Sequence, residues 1–366
     1  MPNNSFITDR YNRIQRAVNL EPQDRIPVVL EYSGFAAHIT GTPMAEYISS
    51  PSTATDTMIQ AYQMIGQADA INYGSFNPYG LCELFGAKVK IPGHDLPDDS
   101  MWQVVETEVM KHEDYDKILE MGWEPFFNGF IEKLLKGADP QLMNAGCKPI
   151  DVRKKWAEID VPVLSGGDIT TPFDFLCGAR SLEKFFMDLI QIPDKIERVM
   201  DDIIPHLAGS KCRMAREKGY SMIWVGGWRT APCMISPKMW DRFVWPYFTR
   251  IVNAVIDAGL IAILHLDSNW TRELKRFRQL PEKKMIMALD GDTDIFAAKK
   301  ILGDHLCLMG DVPPGLLAFG TADEVSTYCR KLVNTLGPEG FILHSGCDIP
   351  TNARLENVQA MVKTVF

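Results

Sequence analysis

The residues with the greatest chemical reach in this 366-residue chain are His265, Asp267 and Cys347. His265 and Asp267 close an apolar run, IAILHLD, of the kind that forms a β-strand. Side chains alternate along a strand, so positions i and i+2 face the same way and can serve one ion. Cys347 stands in HSGCDIP, after a second apolar run, and the preceding Gly346 allows close backbone approach. Nitrogen, oxygen and thiolate donors suit zinc, and three ligands with one open position describe a catalytic zinc site. Asp290, in LDGDTD, is a candidate for a displaceable fourth ligand. Plainer readings remain open: a satisfied core histidine, a small buried cysteine, an HxD pair that binds nothing. The Asp290, Asp292 and Asp294 series lacks the glycine and distal glutamate of a calcium loop.

Such residues need elements that bring them together. Short apolar or β-branched runs alternate with longer segments of helical period, the signature of βαβ units. Eight strands are expected, at 26–30, 68–73, 161–165, 222–225, 261–266, 285–289, 306–309 and 341–344. Buried parallel strands have apolar neighbours on both faces, so runs such as MIMAL need not alternate. Between them, the segment from Ser236 to Gly259 opens with an N-cap serine and Pro237, and Thr321 lies a capping-box interval before Glu324. Residues 1–24 read as a helical lead-in. Residues 75–160 are too long for one crossover and read as an insertion after the second strand, with a hairpin and further helices. No glycine-rich phosphate loop follows the first strand, which favours a (β/α)8 barrel over a doubly wound sheet. No repeat or low-complexity linker divides residues 1–366, so one domain is expected.

In a barrel, the active site forms where side chains leave the carboxyl ends of the strands. That rule selects Glu31 and Tyr32, Asn72 and Tyr73, Asp168, Trp228 and Arg229, His265 and Asp267, Asp290, Asp311 and Cys347. Trp224, Trp228, Phe173 and Phe175 can either line an aromatic pocket or pack the core, and Asp168 can alternatively cap a helix. The formal charge of −9 argues against a nucleic-acid surface. No apolar run approaches a membrane span, and the polar N-terminus has no signal-peptide character. Eight scattered cysteines without a CxxC suit a reducing compartment, so the expectation is a cytoplasmic enzyme acting on a small molecule.

The C-terminal segment GFILHSGCDIPTNARLENVQAMV resembles the signature of the uroporphyrinogen decarboxylase superfamily, and most of all its cobamide-dependent methyltransferase branch. SPKMWDRFVWPYFTRIVNAVIDAGLIAILHLDSNW resembles the superfamily's helix–strand block ending in His-x-Cys or His-x-Asp. The likeness is good over roughly residues 160–366 and loose before that. It implies a zinc enzyme in which His265 and Cys347 match metal ligands while Asp267 replaces a cysteine. The decarboxylases carry an arginine-rich segment after the first strand; LEYSGFAAH has no arginine, which speaks against tetrapyrrole decarboxylation. A carboxylate donates less electron density than a second thiolate and leaves zinc more Lewis-acidic, which suits an oxygen leaving group. The resemblance therefore implies methyl transfer from a methoxylated, aromatic donor to the Co(I) corrinoid of a separate carrier protein. Glu31, Tyr32, Tyr73, Trp228 and Arg229 would meet the donor, and Asp168 would deliver a proton. The alternatives are a methylcobamide:thiol methyltransferase and a metal-free lyase. The oligomeric state is open, with a homodimer as one option.

Overall fold

The computed structural model describes residues 5–140, 142–143 and 150–366. Among the described residues ten strands follow in order: β1 (Val29–Leu30), β2 (Ala70–Ile71), β3 (Lys88–Lys90), β4 (Gln103–Val105), β5 (Ser165–Ile169), β6 (Met222–Gly227), β7 (Ile261–Leu266), β8 (Met285–Leu289), β9 (Cys307–Val312) and β10 (Phe341–Ser345). β5 to β10 form a six-stranded sheet in sequence order, parallel throughout. β1 and β2 form a parallel pair. Single parallel bridges, Ile71 to Val163 and Val28 to Leu343, link that pair to both edges of the larger sheet.

The strands carry two separate apolar clusters, one on each face. Val29, Ala70, Leu164, Met222, Trp224, Ile263, Ile286, Met309 and Ile342 share one face with the lead-in helix, Ser5–Val18, through Ile14, Ala17 and Val18. Val28, Leu30, Ile71, Ile223, Leu264, Met287, Leu308 and Leu343 belong to the larger cluster against the outer helices. Period-two alternation thus places Glu31, Asn72, His265 and His344 on the face of the first cluster.

Local signals account for the helices. Ser236 accepts from the Met239 N–H as an N-cap, and Thr321 and Glu324 complete a capping box. The Ser236–Gly259 segment is broken, however, into helices Pro237–Phe243 and Trp245–Asp257. Pro246 has no N–H to continue the ladder, which explains the break. The insertion holds the expected hairpin, β3 antiparallel to β4, and helices Asp114–Met121 and Trp123–Leu134. The third strand differs from expectation. Val161–Ser165 contributes only a bridge to β2, and the ladder with β6 runs over Ser165–Ile169, past an irregularity between Ser165 and Asp168. Asp168 therefore lies within the strand and not after it, and Asp311 likewise lies within β9. Among the described residues no helix is long and apolar enough to cross a membrane. The seven described cysteines are free, six of them at least partly buried; Cys147 lies outside the described residues.

Candidate metal centre

His265 projects from the last turn of the β7 pleat, and Asp267 follows just beyond the strand. The Asp267 N–H donates to the Gly227 carbonyl (3.0 Å) and its own carbonyl accepts from Trp270 Nε1 (2.8 Å), so the turn is tied to β6 and to the core. Cys347 arrives from β10. Gly346 N–H donates to the Val312 carbonyl (2.8 Å), and Ser345 Oγ donates to the Cys347 carbonyl (2.6 Å). A Cβ on Gly346 would lie 2.5 Å from the Asp290 backbone oxygen, so only glycine lets these two loops close up. One ligand atom each from His265, Asp267 and Cys347 falls within 4.8 Å of the others. His265 Nε2 is 3.2 Å from Asp267 Oδ1.

The electrostatics suit a cation among these three. Burial opposes protonation of His265, but hydrogen bonds to Asp267 and Cys347 outweigh it and hold the imidazole pKa well above its usual value. Burial pushes the Cys347 thiol up while His265 draws it down. A metal ion in place of that shared proton would satisfy all three groups, and one neutral nitrogen, one carboxylate and one thiolate form a donor set that fits zinc. His265 Nδ1 is buried and has no protein partner among the described residues. The ring is held instead against Trp224, at a centroid distance of 5.1 Å.

The triad borders a cavity of about 490 Å³. Its aromatic wall comprises Tyr73, Phe76, Phe85, Trp102, Trp224 and Trp228. The two β6-derived indoles stack at 6.2 Å, and Gly226 makes this possible, because a Cβ there would sit 2.2 Å from one ring and 2.5 Å from the other. Glu31, Asp168, Asp267 and Asp348 line the cavity, and no described lysine or arginine does. Burial raises the pKa of Glu31, despite a 2.6 Å hydrogen bond from Asn72 Nδ2. Asp348, bonded by Ser33 Oγ, is pushed up to about 7, again by burial. His344 lies 3.7 Å from Glu31. Burial and the neighbouring His265 push it down to about 3, so His344 meets Glu31 as a neutral ring and the contact is not an ion pair.

The structure sorts the sequence candidates. Glu31, Tyr73, Asp168, Trp228, His265, Asp267 and Cys347 meet at the cavity. Tyr32 does not: it is 1% exposed and donates its hydroxyl to the Met58 carbonyl at 2.7 Å. Alternation explains this, since neighbours on a strand point to opposite faces and Glu31 takes the inner one. Arg229 also turns away, pairing with Glu106 at 2.9 Å. Asp290 is not among the ligand atoms, because its two oxygens accept the N–H groups of Ser268 (2.6 Å) and Asp292 (2.9 Å). Of the aromatic residues in doubt, Trp224 and Trp228 line the cavity while Phe173 and Phe175 are core. Asp168 caps nothing; Thr171 caps the Pro172–Arg180 helix. Sequence reasoning missed Asp348 and Ser33, although Asp348 adjoins Cys347. It also missed Phe76, Phe85 and Trp102, which come from the insertion.

Comparison with known proteins identifies the family and the fold. The family model described as uroporphyrinogen decarboxylase (URO-D) matches residues 9–366. A uroporphyrinogen decarboxylase of Syntrophotalea carbinolica is 25% identical over 216 residues, covering 56% of this chain and 59% of that protein. One from Trichodesmium erythraeum is 27% identical over 131 residues, 36% of each chain. The matched segments thus span from about a third to 59% of the length of these curated relatives. Among solved structures, a methyltransferase from Methanosarcina mazei superposes with a TM-score of 0.71 over 97% of both chains at 18% identity, a likeness of fold. The match that runs from the lead-in helix to the last residue is the broadest of these findings, and by it the chain belongs to the uroporphyrinogen decarboxylase (URO-D) family.

Proposed function

We propose that this chain is a zinc-dependent methyltransferase of the cytoplasm that moves a methyl group from a methoxylated, aromatic donor to the Co(I) corrinoid of a separate carrier protein. We read its eight parallel strands as a closed (β/α)8 barrel, a reading supported by the bridges that join β1 to β10 and β2 to the segment leading into β5. The observation that carries the functional reading is the meeting of His265, Asp267 and Cys347 at the wall of an aromatic cavity. Bound there, zinc would supply Lewis acidity towards the ether oxygen.

The chain's own residues do the rest. Trp224, Trp228 and Tyr73 flank a flat donor and exclude water from it. The methyl–oxygen bond breaks with its electron pair left on oxygen, and an acid is needed to quench that charge. Asp168 is suited to this role: it lines the cavity, and burial raises its pKa, so it holds its proton longer than an exposed aspartate. The cavity wall also weighs against the decarboxylase reaction itself, because a substrate with several carboxylates would face carboxylates and no arginine.

The test has two stages. Metal analysis of the purified protein should find one zinc per chain, lost in His265→Ala and Cys347→Ala. Mixing the protein with a reduced corrinoid carrier and a panel of aryl methyl ethers should then convert the cobalt spectrum to that of the methylated form. Metal-free protein that retains activity would end the zinc reading. Demethylation of the carrier by thiols, with no ether accepted, would reverse the direction of transfer.

A further inference from the structure

The donor cavity combines aromatic walls with carboxyl groups, and among the described residues that line it the one basic side chain is His265, a candidate metal ligand. A divalent ion held by the Asp267 carboxylate and a Cys347 thiolate would be neutralised by them. Glu31, Asp168 and Asp348 would remain, with no described lysine or arginine on this wall; Lys211 acts on Asp168 from the adjoining cleft. Around them stand the rings of Phe76 and Trp102, stacked at 4.2 Å, and of Trp224 and Trp228. Ring faces are negative and attract cations, most strongly where water is excluded. A second, independent feature concerns hydrogen bonding. Trp224 is only 5% exposed and lines the cavity, yet its indole N–H has no partner among the described residues. Native structures seldom leave a buried donor unpaired, so an acceptor atom on a ligand is the natural counterpart.

We infer that the cavity takes a small organic cation, an ammonium compound that also carries an oxygen acceptor. Its nitrogen sits among the ring faces and the Glu31 and Asp348 carboxyl groups, and its oxygen faces Trp224 and Asp168, the acid proposed above. This deepens the methyl-transfer reading, on which it rests only for naming that ligand as the methyl donor. A methoxyarene fits this reading when it carries such a cationic group, and an anion would be repelled.

The test compares isosteres. Choline and 3,3-dimethylbutan-1-ol share shape and hydroxyl and differ in charge; 3,3-dimethylbutanoate supplies the anion. Binding is followed by quenching of tryptophan fluorescence and by calorimetry, on zinc-loaded protein and on protein stripped by a chelator. Choline should bind at least ~10-fold tighter than the alcohol, the scale of a desolvated cation–π contact, and the anion should not bind. Asp348→Asn should weaken choline several-fold and leave the alcohol unchanged, a selectivity that mere unfolding would not produce. Equal affinity of the isosteres, preference for the alcohol or the anion, or no saturable binding of any probe would overturn the inference. Because the readout is binding and includes stripped protein, a chain without zinc or methyl transfer can still show the charge preference. Conversely, methyl transfer from a neutral ether with no charge preference removes this inference alone.

Discussion

Gly346→Ala offers a sharp test of how the metal centre is assembled. No positive φ is involved, so the backbone conformation itself tolerates alanine, and the effect must be steric. The added Cβ would lie 2.5 Å from the Asp290 carbonyl oxygen, 2.8 Å from its carbon and 3.0 Å from its Cα. Ordinary contact begins at 3.4 Å, so the two loops must separate by roughly 0.9 Å. The obstacle is backbone, fixed further by two N–H groups bonded to the Asp290 carboxylate, and cannot swing aside like a side chain. Overpacking of this kind costs about 1–3 kcal/mol. At about 2–4 °C per kcal/mol for domains of 150–250 residues, and less in a longer chain, the melting temperature should fall by several degrees. The larger consequence is for the adjacent Cys347, whose sulfur moves with the loop. Displaced support around a metal ligand typically weakens binding by about 10–100-fold, and a chromophoric-chelator competition would read that loss. Gly129→Ala is the control: it lies inside the Trp123–Leu134 helix with nothing within 4 Å of the new Cβ, and should stabilise by up to about 1 kcal/mol. A Gly346→Ala protein with wild-type melting and zinc affinity would refute the proposed close contact.

Three further perturbations probe the frame. Asp174 is fully buried and accepts from Thr171 Oγ1 (2.6 Å), Arg229 N–H (2.7 Å) and both the N–H and Oγ1 of Thr230 (3.1 Å each), so it shapes the loop that carries Trp228. Asp174→Ala should cost at least about 3 kcal/mol in denaturant unfolding, because it strands several buried donors; a loss under 1 kcal/mol would contradict that network. Burial pushes the Asp311 carboxyl up to about 7 from an ordinary 3.8, so the folded state binds a proton that the unfolded state releases. Its contribution to stability is then full below about 3.8 and lost as pH rises through about 7. Asp311→Asn should gain stability relative to wild type as pH increases across that window, and parallel stability–pH curves would exclude the linkage. Tyr32→Phe should lower stability by about 1 kcal/mol through loss of the Met58 hydrogen bond and leave choline affinity unchanged; altered affinity would put Tyr32 back at the cavity.

Much of this protein is legible in one dimension. The alternation of apolar runs with capped helical segments marks the parallel strands, because burial on both faces demands continuous apolar stretches. β7 and β8 coincide with their expected limits. The His265-x-Asp267 spacing and the Gly346-Cys347 pair also speak locally, since strand alternation and a glycine's lack of a Cβ act within a few residues. Tertiary structure decided the rest. Tyr32 and Glu31 are neighbours in sequence, and only the pairing of β1 with β2 and β10 settles which of them turns inward. Arg229 and Asp290 stand at strand ends as active-site residues do, but Glu106 and the Ser268 and Asp292 amides claim them first. Phe76, Phe85 and Trp102 reach the cavity because the insertion folds back over the strand ends. Contacts between segments far apart in the chain follow from packing, and no local period or spacing encodes them.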